Sequence, residues 1–253
     1  MKNTSILAIL ALISAPVFAD TFSLNSANNS PNQNHDTNYV MGGGAGFNIT
    51  QNTDTGTVTS FNSVACPTDD DSYYRRFDLD GDHGLAEAIN ISSVDFGIES
   101  TLSLTLDVNL YSIANGDTLL LANLTPIGSA SIAVTSADDL SVVSSNVAGT
   151  LNGATHDLVV EVFMPDFSVG GGSSFLGSNA AGQSGASYLR SAVCGAAEPT
   201  DTAVLGFPDM HLLMVVNGAV AGPPPVVPTM TWYGIIAMLL LFAIFGRRFV
   251  KKS

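Results

Sequence analysis

Leu102, Leu104, Leu106, Val108 and Leu110 alternate with Ser103, Thr105, Asp107 and Asn109. A period of two places such apolar side chains on one face of an extended strand, with the polar ones on the other. The same alternation returns in Ala130, Ile132 and Val134, and in Leu158, Val160, Val162 and Met164, which interleave with Val159, Glu161 and Phe163. Asn115-Gly116 and Asn152-Gly153 lie between apolar runs. Both residue types tolerate the positive φ of a type I′ turn, so each pair predicts a hairpin. Residues 42–66, rich in Gly, Asn and Thr, have room for two short strands, and Gly84 to Ile91 is the nearest approach to a helical pattern, only two turns long. The pattern predicts an all-β protein: one antiparallel β-sandwich or jelly-roll-like domain over residues 38–220, long enough to bury a core.

The two ends carry apolar runs of another kind. Lys2 precedes the run from Ile6 to Ile13, and Val17-Phe18-Ala19 closes it with the small or apolar residues that a signal peptidase reads. Residues 1–19 are therefore read as a secretory signal helix, too short to span a bilayer, whose removal leaves Asp20 first. Residues 20–37, rich in Asn and Ser, offer few large apolar groups to offset the entropy of ordering and read as a flexible leader. At the other end Gly222 to Pro228 forms a Pro-rich spacer within 221–230. Residues 231–253 then combine an apolar run from Trp232 to Phe245 with Gly246, Arg247, Arg248, Lys251 and Lys252. This predicts a transmembrane helix with its basic end in the cytoplasm and the β domain outside, in the cell envelope.

Charge sharpens that division. All 22 acidic residues fall between Asp20 and Pro228, where Arg75, Arg76 and Arg190 are the only basic ones, so this part carries a net charge of −19. A nucleic-acid partner is excluded on that balance, since phosphate binding depends on Lys and Arg. Cys66 and Cys194 are the two cysteines. In an oxidising compartment they are expected to pair, whereas a nucleophilic thiol needs a neighbouring base that neither has in sequence.

Asp78, Asp80 and Asp82 stand at alternate positions just after Asp69-Asp70-Asp71, an arrangement of hard oxygen ligands that could take a structural Ca²⁺. The EF-hand pattern fails, with His83 where the loop needs Gly and Ile89 where it needs Glu. The competing reading is a solvated acidic turn, partly neutralised by Arg75 and Arg76. His35, His83, His156 and His211 are dispersed, which argues against zinc. Gly182-Gln183-Ser184-Gly185-Ala186 does not form a nucleophile elbow, and Gly170-Gly171-Gly172 lacks the lysine of a phosphate cradle. Glu161 with Asp166 would be the carboxylate pair of a glycosidase, but Glu161 falls on the polar face of its strand, where solubility is the ordinary role. No catalytic residue is assigned and the expectation is that the chain is not an enzyme.

The most specific motif is Val227-Pro228-Thr229-Met230 followed by Trp232, Tyr233 and Gly234. It resembles the IPTL-type C-terminal sorting signal, in which Ile-Pro-Thr-Leu and a Trp-Gly pair precede an apolar span and a basic end. Val stands for Ile, Met for Leu, and Tyr233 where that family has Trp. The resemblance implies processing by an exosortase-type membrane transpeptidase. Ser93 to Glu99, Gly177 to Gln183, Ser187 to Arg190 and Gly206 to His211 also resemble phrases of an uncharacterised β domain of bacterial secreted proteins, which implies a surface module with variable anchoring and no assigned chemistry. The expected function is that of an exported surface protein of structural or adhesive type. A carbohydrate- or matrix-binding module is the alternative, and a secreted hydrolase the third.

Overall fold

The computed structural model describes residues 23–24, 46–67, 70–166 and 174–222. The signal residues 1–19, nearly all of the leader, the sorting residues Val227, Pro228, Thr229, Met230, Trp232, Tyr233 and Gly234, the span at 231–253 and the glycine run at 170–172 lie outside them. Among the described residues no helix is long and apolar enough to cross a membrane.

In chain order the strands are β1 (Ser23–Leu24), β2 (Gly46–Thr50), β3 (Val64–Ala65), β4 (Asp71–Phe77), β5 (Ala88–Ser100), β6 (Leu104–Ala114) and β7 (Thr125–Val134). They continue with β8 (Ser141–Ser145), β9 (Gly149–Asn152), β10 (His156–Met164), β11 (Phe175–Asn179), β12 (Ser187–Ser191), β13 (Ala196–Asp201), β14 (His211–Leu212) and β15 (Met214–Val220). Six of them form an antiparallel sheet in the order β13-β12-β4-β10-β6-β7. A second antiparallel sheet runs β14-β11-β5-β15-β2, with β8 and β9 also paired to β5, and β1 pairs with β3 in a ladder of two residues.

The long strand β5 organises the second sheet. Val94 is opposite both Val216 of β15 and Ser145 of β8, while Ile98 is opposite both Leu176 of β11 and Ser141 of β8. One edge of β5 therefore meets β8, and the other meets β15 and then β11. The changeover falls at Gly97, whose N–H donates to the Leu213 carbonyl at 3.1 Å, while the Leu213 N–H donates to the Gly177 carbonyl at 3.1 Å. Gly97 and Gly177 approach so closely that a Cβ on Gly177 would lie 2.6 Å from the Gly97 carbonyl carbon. Only glycine lets two backbones meet at that distance.

Inward-facing residues of both sheets join in one hydrophobic cluster, with Tyr73, Phe77, Leu106 and Leu158 from the first and Ile89, Phe96, Ile98, Leu176 and Val216 from the second. Each apolar side chain so removed from water contributes roughly 1.5 to 3 kcal/mol. The Cys66–Cys194 disulfide is formed, with 6.0 Å between its Cα atoms, and links the segment after β3 to the turn between β12 and β13.

The strand pattern read from the sequence holds for β6, β7 and β10, with local differences. Leu102 lies ahead of β6 and is 44% exposed, because the strand begins only at Leu104. Asn115-Gly116 does not join β6 to β7 by a two-residue hairpin. The connection runs through Leu124 and includes a 3₁₀ turn at Leu121–Asn123. Asn152-Gly153 is no hairpin either: β9 pairs with β5 while β10 pairs with β4 and β6, so the turn carries the chain from one sheet to the other. Within the segment read as a flexible leader, Ser23–Leu24 has a defined backbone partner in β3.

Candidate functional site

Residues of β10 at odd positions face away from the shared core, and there the sheet register assembles a row across all six strands. Asp201 of β13 is opposite Tyr188 of β12, which is opposite Tyr74 of β4. Tyr74 is opposite Glu161 of β10, which is opposite Asn109 of β6, itself opposite Ser129 of β7. The parity of strands far apart in sequence, from Tyr74 to Asp201, thus brings two tyrosines, an amide and two carboxylates into one line.

Glu161 is the centre of this row and is only 6% exposed. Its Oε1 accepts from the Tyr74 hydroxyl at 2.6 Å, and its Oε2 accepts from the Tyr111 hydroxyl at 2.7 Å and the Asn109 amide at 2.9 Å. Three donors replace the water lost on burial, which is what a buried carboxylate requires. Burial, and then the neighbouring Glu161 charge, push the Tyr74 and Tyr111 hydroxyls well above the usual tyrosine range, so both remain neutral donors at physiological pH. Burial and Asp201 raise Tyr188 as well. Ser129 extends the network by donating to the Asn109 side-chain oxygen at 2.7 Å, and in the next row Ser131 donates to Asp107 at 2.6 Å.

One end of this face is roofed. The connection after β6 crosses the sheet, and the Leu121 N–H reaches the Glu198 carboxylate on β13 at 2.8 Å. Leu119 and Leu124 pack with Tyr74, Tyr111, Tyr188, Ile113 and Val159. The Arg76 guanidinium fixes the roof by donating to the Asp117 carbonyl and pairing with Asp157 at 2.6 Å. Burial raises the Asp157 carboxyl even so, outweighing the pull of Arg76. Beyond the roof, half-buried Phe163, Asp107 and Arg190 border the row. Aromatic rings beside planar hydrogen-bonding groups suit a ligand that has both apolar faces and hydroxyls.

Glu161 is accordingly not the solvated residue that strand alternation implied. Its face is covered by aromatic side chains and by the crossing connection, and Val159 beside it is 0% exposed. With both oxygens already accepting hydrogen bonds, Glu161 anchors the sheet, and Asp166, its partner in the glycosidase reading, is an exposed residue past the end of β10.

Arg75 and Arg76 do not act together on the acidic turn. Successive strand residues face opposite ways, so Arg76 goes to Asp157 on the outer face while Arg75 enters the space between the sheets, 0% exposed. Arg75 Nε donates to the Leu212 carbonyl at 3.0 Å, and its terminal nitrogens donate to the Leu212 carbonyl again, to the Gly185 carbonyl at 2.9 Å and to the Gln51 side-chain oxygen at 3.3 Å. Burial draws this guanidinium down to about 9, still charged at neutral pH. Around it the Ser187 hydroxyl accepts from the Leu212 N–H at 2.9 Å, and His211 Nδ1 accepts from the Gly182 N–H at 3.1 Å. The segments 177–183, 187–190 and 206–211 singled out in the sequence converge on this node.

Asp78, Asp80 and Asp82 occupy an exposed turn closed by its own hydrogen bonds. The Asp78 carboxylate accepts from the Gly81 N–H at 2.8 Å, and Gly84 N–H donates to the Asp80 carbonyl at 3.1 Å. Among the described residues no three His, Cys, Asp or Glu side chains group around a point that could hold a metal. His83 packs against the Phe77 ring, and His156 Nδ1 shares a 2.8 Å hydrogen bond with the Thr155 hydroxyl. Two further carboxylates are buried, Glu99 and, from the acidic run upstream of the Asp78 turn, Asp71. Glu99 accepts from the Phe61 and Ser63 N–H groups, and Asp71 accepts from the Cys66 N–H at 2.8 Å.

The chain matches no known family model, no curated protein sequence and no solved structure.

Proposed function

We propose that the chain is an exported β-sandwich module of structural or adhesive type, held in the cell envelope and processed at Val227 to Gly234 by a membrane transpeptidase. The sandwich is supported by inward residues of two antiparallel sheets sharing one cluster. The observation that carries export is the Cys66–Cys194 disulfide, which joins residues 128 apart in a domain that contains no lysine. Such bonds persist in oxidising compartments and are rare where glutathione keeps thiols reduced. The signal at 1–19 and the span at 231–253 complete a consistent route: translocation, oxidation outside, then retention by the tail. The test is intact-mass analysis of protein recovered from its native envelope, comparing wild type with a Pro228→Ala, Thr229→Ala double variant. A mature species that begins near Asp20 and ends near Thr229, and that is lost in the variant, is the expected result. A full tail ending at Ser253 in both would remove the processing step, and a reduced, unexported chain would overturn the whole reading.

A second reading is favoured by the half-buried groups of the outer face, Tyr188, Asn109, Phe163 and Arg190: a face for neutral, polyhydroxylated ligands such as uncharged glycans. The strongly acidic domain disfavours anionic ones. Tyr188 is the half-buried aromatic of the row and is separate from the Glu161 hydrogen bonds. Tyr188→Ala is expected to weaken binding on an array of neutral glycans by about five- to tenfold, in line with loss of an aromatic contact of about 1 to 1.5 kcal/mol. Equal binding by the variant, or silence of the wild type across the array, would leave the face with an internal packing role only.

A further inference from the structure

The sequence contains three Asn-Gly pairs, and the fold treats them very differently. We propose that Asn115 is a site of spontaneous covalent modification in the folded protein, converting through a succinimide to aspartate or isoaspartate, while Asn152 and Asn217 are protected. In this reaction the backbone nitrogen of the following glycine loses its proton to solvent base and attacks the side-chain carbonyl carbon of the asparagine. The new N–Cγ bond closes a five-membered ring, the Cγ–Nδ2 bond breaks, and the nitrogen leaves as ammonia. Water then opens the ring at either carbonyl. No oxidation or reduction occurs and water is the only co-reactant.

The reaction needs an unengaged glycine amide and room for a ring where glycine has only hydrogens. Asn115-Gly116 meets both conditions. Gly116 is exposed, sits at φ +82° in the turn after β6, and has nothing within 4 Å of the position a Cβ would take. Among the described residues its N–H has no hydrogen-bond acceptor, in contrast to the Asn115 N–H, which donates to the Thr155 carbonyl at 3.1 Å. At Asn152 the Gly153 N–H donates to the Glu87 carbonyl at 3.0 Å, and a Cβ on Gly153 would lie 1.8 Å from the Leu85 carbonyl oxygen. At Asn217 the pair lies inside β15 between β2 and β5, and a Cβ on Gly218 would lie 2.4 Å from the Asn90 oxygen. The Asn217 amide is itself held by Asn48, Ser93 and Asp95. The related Asp80-Gly81 and Asn62-Ser63 pairs are closed in the same way, since Gly81 N–H donates to Asp78 and Ser63 N–H to Glu99.

The modification has a local consequence. The Asn115 amide donates to the Ala154 carbonyl at 3.3 Å, joining the turn after β6 to the turn before β10. A carboxylate at position 115 removes that donor and sets a negative charge against the carbonyl, and the isoaspartate form also lengthens the backbone within the turn. The connection that roofs the outer face begins at this turn, so modification loosens the anchored end of the roof.

The test is a time course of the full chain, disulfide intact, in mildly alkaline buffer, read by peptide mapping that separates aspartate from isoaspartate at each position, with a parallel sample unfolded in urea. Asn115 is expected to convert at least about tenfold faster than Asn152 and Asn217 in the folded protein, while all three convert at similar rates when unfolded, because each is followed by glycine. Equal rates at the three positions in the folded protein, or conversion of Asn152 or Asn217 ahead of Asn115, would overturn the proposal.

Discussion

Arg75→Met is expected to destabilise the domain by about 3 kcal/mol, more than a hundredfold in the ratio of folded to unfolded molecules. The side chain is 0% exposed, and among the described residues its four hydrogen bonds all go to neutral oxygens, two of them to one carbonyl. Methionine keeps much of the apolar bulk but leaves the Leu212 and Gly185 carbonyls and the Gln51 oxygen without their donor, and each buried acceptor so orphaned costs about 1 to 3 kcal/mol. Relief acts in the other direction, because a charge buried without a counter-charge is itself unfavourable. The balance is still a loss, since three acceptors from three separate segments depend on one guanidinium. Arg75→Lys separates these effects. It keeps the charge but replaces the planar fork with a point donor that cannot serve all three oxygens, so it should lose nearly as much as Met. Urea unfolding followed by fluorescence gives the comparison, with the midpoint falling and the slope unchanged. A Met variant within about 0.5 kcal/mol of wild type would show that Arg75 is incidental to the joining of the sheets.

That arginine also marks the limit of what alternation conveys. The period of two located β6, β7 and β10 because their inner faces are uniformly apolar, and it would equally have placed Arg75 between Tyr73 and Phe77 on the inner face of β4. A charged residue in that slot looks like an interruption of the pattern, and only the backbone carbonyls of Gly185 and of Leu212 in β14 explain it. Those partners lie 110 and 137 residues away. Glu161 shows the same limit on the outer face. Its strand position was legible, but its burial depends on Tyr74, Tyr111 and the connection that crosses from β6 toward Glu198, none of which is local to it. Turn residues misled for a related reason. Asn-Gly reports a local positive φ, as Gly116 has at +82°, but it does not report which strand comes next in the sheet. Gly97 and Gly177 fall in two separate segments singled out in the sequence, with nothing in either to say that they touch.

Removing the disulfide by a Cys66→Ser, Cys194→Ser double substitution should cost about 4 to 5 kcal/mol, the largest effect expected for any change in the domain. In the chain-entropy description a cross-link limits the unfolded ensemble, and the benefit grows with the logarithm of the loop it closes, here 128 residues. For a domain of this size the melting temperature should fall by roughly 10 to 20 °C. The native state gives a reason for the full effect to be realised without relief of strain elsewhere. Cys66 is buried, its N–H is held by Asp71, and the bond lands on the turn of the β12–β13 hairpin, the outermost pair of the six-stranded sheet. That hairpin also carries Tyr188, so the link stabilises the edge of the outer face as well as the chain as a whole. The double variant should therefore lose amide protection first in β13 and β12, while β5 and β15, flanked on both edges, exchange only with global unfolding. Differential scanning calorimetry and hydrogen exchange on the double variant measure the two parts separately. A stability loss below about 1 kcal/mol would mean that the unfolded chain gains little freedom from the cut. Loss of protection spread evenly over both sheets would mean that the bond acts on the unfolded ensemble alone, without locally anchoring the edge that bears Tyr188.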